Sequence, residues 1–381
     1  MKSKLVFFSA CLGMLLFGIG LITLGSVATG LQSRFHLDKI GSGALFSILP
    51  LGILMGSLVF GPVCDRYGYK LLLLVSCVLM FIGFQGIAFA PSIFLLKFCV
   101  FLFGFGGGAI NGACNAVVSD ISINHKSANL SLLGVFFAIG ALGMPVILGS
   151  LNKLYSFQSI VSAVGFLPLL VVILIFATPY PAPKQDQKIP FREGLHLLKQ
   201  SFLLYIGFFL FCQSSVEGVI NNWTTTYLSQ KLNSTESNAL LALSLFVTGM
   251  AVTRLLLGSV LRNVADRTII LVSLIALGIG SFILWSSGSN NTAIAGLIMC
   301  GAGLAAGFPV MFGLLGNQYS SLSGTAFGLV LTIALFGNML TNYIMGIITQ
   351  SYGINHLTTV LFVLLAGMLF LSLKIFRTNK S

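Results

Sequence analysis

PYPAPKQDQKIPFREGLHLLKQS, residues 179–201, is the one long polar stretch in a chain of 381 residues. It is rich in proline and charge, the composition of a linker held in water. Six apolar runs lie on either side of it. They cover about 5–31, 42–63, 70–90, 92–118, 128–151 and 158–178 before the linker, and 202–229, 236–261, 267–287, 291–318, 322–349 and 354–376 after it. Each is near the ~20 residues that a helix needs to cross a bilayer. The runs are continuous rather than alternating with period two, which excludes a transmembrane β-barrel. Composition agrees: 56% of the residues are hydrophobic and 7% charged, against about a quarter charged in soluble domains. The expected fold is an all-α polytopic membrane protein of twelve transmembrane helices. It divides into a six-helix half at 1–178, a cytoplasmic linker at 179–201 and a second six-helix half at 202–381.

The net charge of +12 would suit nucleic acid, but its distribution argues for topology instead. With a cytoplasmic N-terminus, the inner side holds Lys2, Lys4, Arg66, Lys70, Lys126, Lys184, Lys188, Arg192, Lys199, Arg262, Arg267, Lys374, Arg377 and Lys380. The outer side holds Arg34, Lys39, Lys153 and Lys231. Fourteen against four is the positive-inside asymmetry. It predicts a multi-pass plasma-membrane protein, in bacteria one of the inner membrane, with both termini cytoplasmic and the lipid bilayer rather than nucleic acid as partner. The opening MKSKLVFFSACLGMLLFGIGLITLG resembles a signal peptide, yet its apolar run exceeds the 7–15 residues of an h-region, so it reads as the first span. The seven cysteines lie in the spans or at their edges without metal-ligand spacing. No cofactor is expected, apart from a coupling ion such as H⁺ or Na⁺.

The two halves carry a repeat. A gap-free shift of 197 pairs Gly52 with Gly249, Gly61 with Gly258, Gly83 with Gly280, Gly104 with Gly301, Gly106 with Gly303, Gly140 with Gly337 and Gly149 with Gly346. Glycines inside spans let helices approach closely, so the halves are expected to share one packing plan. Two parallel six-span halves suit a carrier that rocks about a midplane site.

The loop after the second run reads GPVCDRYGYK, residues 61–70. It resembles the G-x-x-x-D-R-x-G-x-[RK] motif of the major facilitator superfamily through Gly61, Asp65, Arg66, Gly68 and Lys70, with Tyr69 where arginine is frequent. The resemblance implies a cytoplasmic latch that favours the outward-open state, so these residues are gating rather than binding candidates. In the second half Arg262 stands where Asp65 does, a degenerate latch. Three further segments resemble the fucose-permease-like group: EGVINNWTTTYL (217–228), GVFFAIGALGMP (134–145) and GFGGGAINGACNAVV (104–118). That resemblance implies a sugar-like solute. Proton-coupled fucose permeases use acids in spans one and four. Here span one has no acid, and span four carries Lys97, Asn111 and Asn115. Glu217 is then either the sole midspan proton carrier or purely a ligand.

Glu217 lies about 18 Å from the outer end of its run and about 22 Å from the inner end, at 1.5 Å per residue. A charge at that depth costs roughly 2.5–3.5 kcal/mol, so it needs a proton, a cation, a polar solute or a wet cavity. Lys97 is a possible charge partner. Gln213, Glu217, Asn221 and Thr224 share a helix face by their spacing, as do Asn111 and Asn115 on span four, and Asn338 and Asn342 on span eleven. Amides both donate and accept, which suits polyols, and Trp223 offers a ring face and an indole N–H. Bridging between helices is the alternative for these polar residues. For Trp223 and Tyr227 it is the interfacial belt. Arg254, near the inner end of span eight, is read as snorkelling or capping helix-end carbonyls, with gating as the alternative.

The leading expectation is a secondary transporter of a small polar solute, a sugar above all, working as a monomer by alternating access with proton coupling through Glu217. A multidrug or amphiphile exporter, a facilitative uniporter and a non-transporting receptor are the alternatives. An enzyme is not expected. His36 and His356 fall in outer loops, His125 and His196 in inner ones, with no nucleophile pair, metal cluster or phosphate loop.

Overall fold

The structure is a computed structural model that describes residues 2–122, 126–181, 199–259, 264–319 and 323–378. Helices dominate, and no strand occurs among the described residues. Twelve segments are long and apolar enough to cross a bilayer: Lys4–Ser26, Lys39–Phe60, Arg66–Phe89, Ile93–Ile121, Leu132–Leu151, Phe157–Ala177, Ser201–Leu232, Glu236–Leu257, Asp266–Ser286, Asn290–Gln318, Ala326–Tyr352 and Ile354–Thr378. They are spans one to twelve. Most of the expected linker lies outside the described residues.

Several boundaries move for physical reasons. Span one stops at Ser26 instead of running to 31. Val27 leaves helical geometry, and a short helix, Ala28–Phe35, follows. Spans two and three form one helical stretch, Lys39–Phe89, interrupted at Gly68 with φ 83° and ψ 164°. The tight turn expected there needs a single residue, and glycine alone takes that conformation without strain. Span ten breaks into Asn290–Leu304 and Gly307–Gln318. Its cause is Pro309, which has no N–H for the carbonyl of Ala305 and whose ring crowds that carbonyl.

Contacts divide the chain into two compact units. One comprises Met1–Leu37 with Ile48–Ile189; the other comprises Asp38–Ser47 with Pro190–Ser381. Ten residues at the start of span two thus pack with the second unit, a pairing across sequence that the repeat does not announce.

Within each unit the glycine repeat is a packing repeat. In the first, Gly52 faces the carbonyl of Phe101 and Gly104 that of Leu49; in the second, Gly249 faces Ile298 and Gly301 faces Phe246. Each partner in the second pair of contacts is 197 residues beyond its mate. Gly106 against Ser76 and Gly303 against Ser273 repeat the pattern. A methyl at any of these positions would strike backbone, so the approach depends on the missing side chain.

The helix ends repeat as well. Ser92 and Ser289 cap spans four and ten, accepting from Leu95 N at 3.3 Å and Thr292 N at 3.4 Å. His36 and Asn233, both at φ 49°, close the ends of their helices in left-handed geometry. Arg34 donates to the carbonyls of Ala88 and Ala90, and Lys231 to those of Leu284 and Trp285. Two basic residues therefore donate to carbonyls at the ends of spans three and nine, where helices run short of their own donors. Both do so at repeat-related positions.

Overpacking these contacts costs about 1–3 kcal/mol each. Gly104→Val and Gly301→Val are expected to lower the thermal unfolding midpoint of the detergent-solubilised protein by several degrees. Gly134→Val, at a position open around the added carbon, is the control and leaves it unchanged.

Candidate functional site

Span seven supplies most of the expected site. It is one unbroken helix of 32 residues, with Glu217 half-buried near its middle. Gln213, Asn221 and Thr224, expected on the same face, are all buried. The break in span ten explains Gln213. Losing helical geometry after Leu304 frees the carbonyls of Leu304 and Ala305, and both must find donors inside the protein. Gln213 Nε2 donates to Leu304 at 2.9 Å, and Arg254 Nε donates to Ala305 at 3.4 Å. Gly307 leaves the room that the Gln213 amide occupies. Arg254 thus donates to the carbonyl that ends the first part of span ten, the capping role expected for it beside snorkelling, and its charge acts on Glu217. Lys97, the partner considered from sequence, is half-buried on span four of the first unit. Within the second unit the role falls to Arg254.

Spans seven and eleven are joined by an amide network. Asn338 Nδ2 donates to the Ser214 carbonyl at 3.0 Å, and Thr341 Oγ1 to Ser215 Oγ at 2.9 Å. Asn342 Nδ2 donates to the backbone oxygen and to Oδ1 of Asn338, each at 2.9 Å. Asn342 Oδ1 accepts from Asn222 Nδ2 at 3.2 Å and from Trp223 Nε1 at 3.1 Å. Asn338 stays half-buried while Asn342 is fully buried.

Trp223 is not a belt residue and presents no open ring face. It is fully buried, with Phe46 packed edge-on at 5.3 Å and 84°. Tyr227 is likewise buried, donating to the Leu284 carbonyl at 3.0 Å and accepting from Lys231 at 2.7 Å. Sequence offers no route to these partners, because helix periodicity gives a face but not the helix opposite.

The first unit holds the remaining candidates. Asn115 is exposed and donates to the Asn111 backbone oxygen at 2.8 Å and side-chain oxygen at 3.1 Å. Of the expected latch, the surroundings of Gly61 and the side chain of Asp65 are not among the described features, and Arg262 lies outside the described residues. Gly68 makes the turn, and exposed Arg66 lies 5.4 Å from the ring centre of Tyr67. Lys70 donates to the Phe176 carbonyl at 2.6 Å, near the last turn of span six. Tyr69, where the resemblance has arginine, is buried and donates to Asp120 Oδ2 at 2.6 Å. That odd tyrosine is the readable sign of a contact that the motif alone does not give.

Three buried acceptors on span seven have no donor among the described residues: Gln213 Oε1, Asn221 Oδ1 and Asn222 Oδ1. For two of them the orientation follows from the partners. Leu304 offers only a carbonyl, so Gln213 must present its N–H₂ there. Asn342 donates to the carbonyl of Asn338, so its own oxygen faces Trp223 and Asn222, and Asn222 must answer with nitrogen. With Glu217, span seven thus carries four groups that accept hydrogen bonds. Buried acceptors without donors are rare and call for a cause; a ligand rich in hydroxyl donors would supply one.

Comparison with known proteins agrees with this architecture. The family model for the Major Facilitator Superfamily matches residues 10–231 and 208–381. An uncharacterized transporter, y4wD, of Sinorhizobium fredii is 25% identical over 345 residues, covering 89% of this chain and 90% of that one. The 3-(3-hydroxy-phenyl)propionate transporter of Escherichia coli is 27% identical, covering 84% and 81%. Among solved structures, a mutant form of the nucleoside transporter NupG superposes with a TM-score of 0.81 at 15% identity, covering 99% of each chain. A D-xylose-proton symporter superposes with 0.80 at 14%, covering 97% of each. Twelve spans, a duplicated packing plan and a family match over nearly the whole length give one conclusion: the chain belongs to the major facilitator superfamily of membrane transporters.

Proposed function

We propose that this transporter carries a small hydroxyl-bearing solute, a sugar or a close relative, by alternating access, with Glu217 as its central acceptor. The supporting observation is the set of buried acceptors without donors on span seven, Gln213 Oε1, Asn221 Oδ1 and Asn222 Oδ1, beside a midspan carboxylate. Hydroxyls donate to such groups; a carboxylate solute would face them oxygen to oxygen. Asn338, Asn342 and Thr224 complete the polar surface in the second unit, Asn342 holding Asn338 in place; Asn111 and Asn115 are the binding candidates of the first unit. Asp65, Arg66, Gly61, Gly68 and Lys70 form its cytoplasmic latch. The resemblance to fucose-permease-like carriers points the same way. The protein acts as a monomer in the bacterial inner membrane with both termini inside, on the strength of its positive-inside asymmetry.

A second reading has its own support. Arg254 bears on the Glu217 carboxylate, and a guanidinium released from it suits an organic anion, the chemistry named for the Escherichia coli relative. The two readings differ in a binding experiment. On the first, D-xylose or another neutral polyol raises the unfolding temperature of the purified protein, and 4-hydroxybenzoate does not. Glu217→Gln lowers the apparent affinity about tenfold or more, the scale of a hydrogen bond to a charged group. Stabilisation by the aromatic acid alone, retained in Glu217→Gln and lost in Arg254→Gln, would replace the sugar reading with the second.

Proton coupling is tested separately, because Glu217 is the sole midspan acid on span seven. In inverted or right-side-out vesicles, concentrative uptake is expected to collapse with a protonophore. Glu217→Gln would retain exchange of solute down its gradient while losing accumulation, the split expected of a proton carrier. Accumulation that survives both changes assigns Glu217 to binding only and makes the carrier a uniporter or sodium-coupled.

A further inference from the structure

The second unit contains a contact chain that the solute reading does not use. Asn342, fully buried, touches both ends of it. Its amide nitrogen holds Asn338, the half-buried residue read above as solute-facing, and its amide oxygen holds the indole N–H of Trp223. Phe46, at the outer end of span two, packs edge-on against that indole. Asn342's own backbone carbonyl lies under Gly43, one turn from Phe46, where a side chain would collide with it and with Gly346. Ser47 Oγ donates to the Met339 carbonyl at 2.7 Å, and Lys39 N donates to Gln350 Oε1 at 3.0 Å. The outer end of span two is thus seated on spans seven and eleven by one aromatic contact, one glycine crossing and two hydrogen bonds.

The rest of span two, from Ile48 onward, packs with the first unit. Segment 38–47 is therefore the part of that helix that is held by the second unit. Nothing in its repeat mate is equivalent, since the position 197 before Asn342 is Pro145, with no side-chain donor or acceptor.

We infer that Asn342 is a positioning residue for an outer gate: it fixes Trp223 as the seat of Phe46 and links that seat to Asn338. The input end of this relay rests on the reading of Asn338 as solute-facing; the gate end does not. Among the described residues, the Asn342 side chain bonds directly to both Asn338 and Trp223, and its bond to Trp223 can be cut without disturbing the aromatic contact. Trp223→Phe keeps a ring against Phe46 and removes the N–H.

The test needs no identified solute. Ser47→Cys serves as the outer reporter, since Ser47 is buried in the seat, and Asn115→Cys as the inner one, since Asn115 is exposed. Each is labelled with a membrane-impermeant maleimide from its own side, in a background with the seven native cysteines replaced. Adding Trp223→Phe is expected to speed labelling at 47 about fivefold, the population shift that one hydrogen bond supplies, and to slow labelling at 115. Asn342→Ala is expected to do the same more strongly. Labelling at 47 that does not change, or that rises together with labelling at 115, would overturn the proposal and leave Asn342 as glue between spans seven and eleven. Asn338→Ala tests the input end: a change at 47 ties the gate to the solute-facing residue. No change there, with Trp223→Phe still active, removes that end and with it the relay.

Discussion

A polar group carried into hydrocarbon must find its partner inside the protein, because no water is there to take its place. Most of the second unit's polar chemistry follows from that constraint. Pro309 breaks span ten and frees two carbonyls. Gln213 and Arg254 answer them, and this brings a guanidinium inward to within electrostatic reach of Glu217. The same constraint joins span eleven to span seven through Asn338 and Asn342. What is left over is informative: three amide oxygens on span seven still lack donors. The proposal of a hydroxyl-rich solute rests on this remainder of a network whose other bonds hold the helices together.

The duplicated plan shows how the two units came to differ. Backbone approaches at glycine, serine N-caps, left-handed C-caps and basic side chains on the outer helix ends all recur at the same offset of 197. Even the exception follows the pattern. Ser57 Oγ donates to the Gly108 carbonyl at 3.4 Å, and at the shifted positions Arg254 donates to Ala305. A hydroxyl in one unit is replaced by a guanidinium in the other, with the acceptor unchanged. Scaffold contacts repeat, whereas the residues proposed for solute and gate do not.

This contrast also explains what can be read from sequence. Apolar runs, the glycine repeat and the turn at Gly68 are local or periodic signals, and each corresponds to a feature of the described residues. Residue faces on span seven are readable too, since they need only helix geometry. Their partners are not. Trp223 at the end of an apolar run has the look of a belt residue until Phe46, 177 positions earlier, is placed against it. Arg254 reads as snorkelling or capping helix-end carbonyls, and the carbonyl it meets is identified only once span ten is seen to break, which Pro309 after Gly307 signals. The assignment of segment 38–47 to the second unit depends on contacts between distant residues, and no single-sequence pattern encodes those.

The central claim is that Glu217 accepts a hydrogen bond from a solute hydroxyl. Calorimetric titration with the tightest-binding sugar and its deoxy analogues, on the native chain and on Glu217→Gln, tests it directly. One missing hydroxyl is expected to weaken binding to the native chain about tenfold or more, the scale of a hydrogen bond to a charged group, and to matter far less to Glu217→Gln. Equal losses in both proteins for every analogue would contradict the account and place the carboxylate outside the solute site.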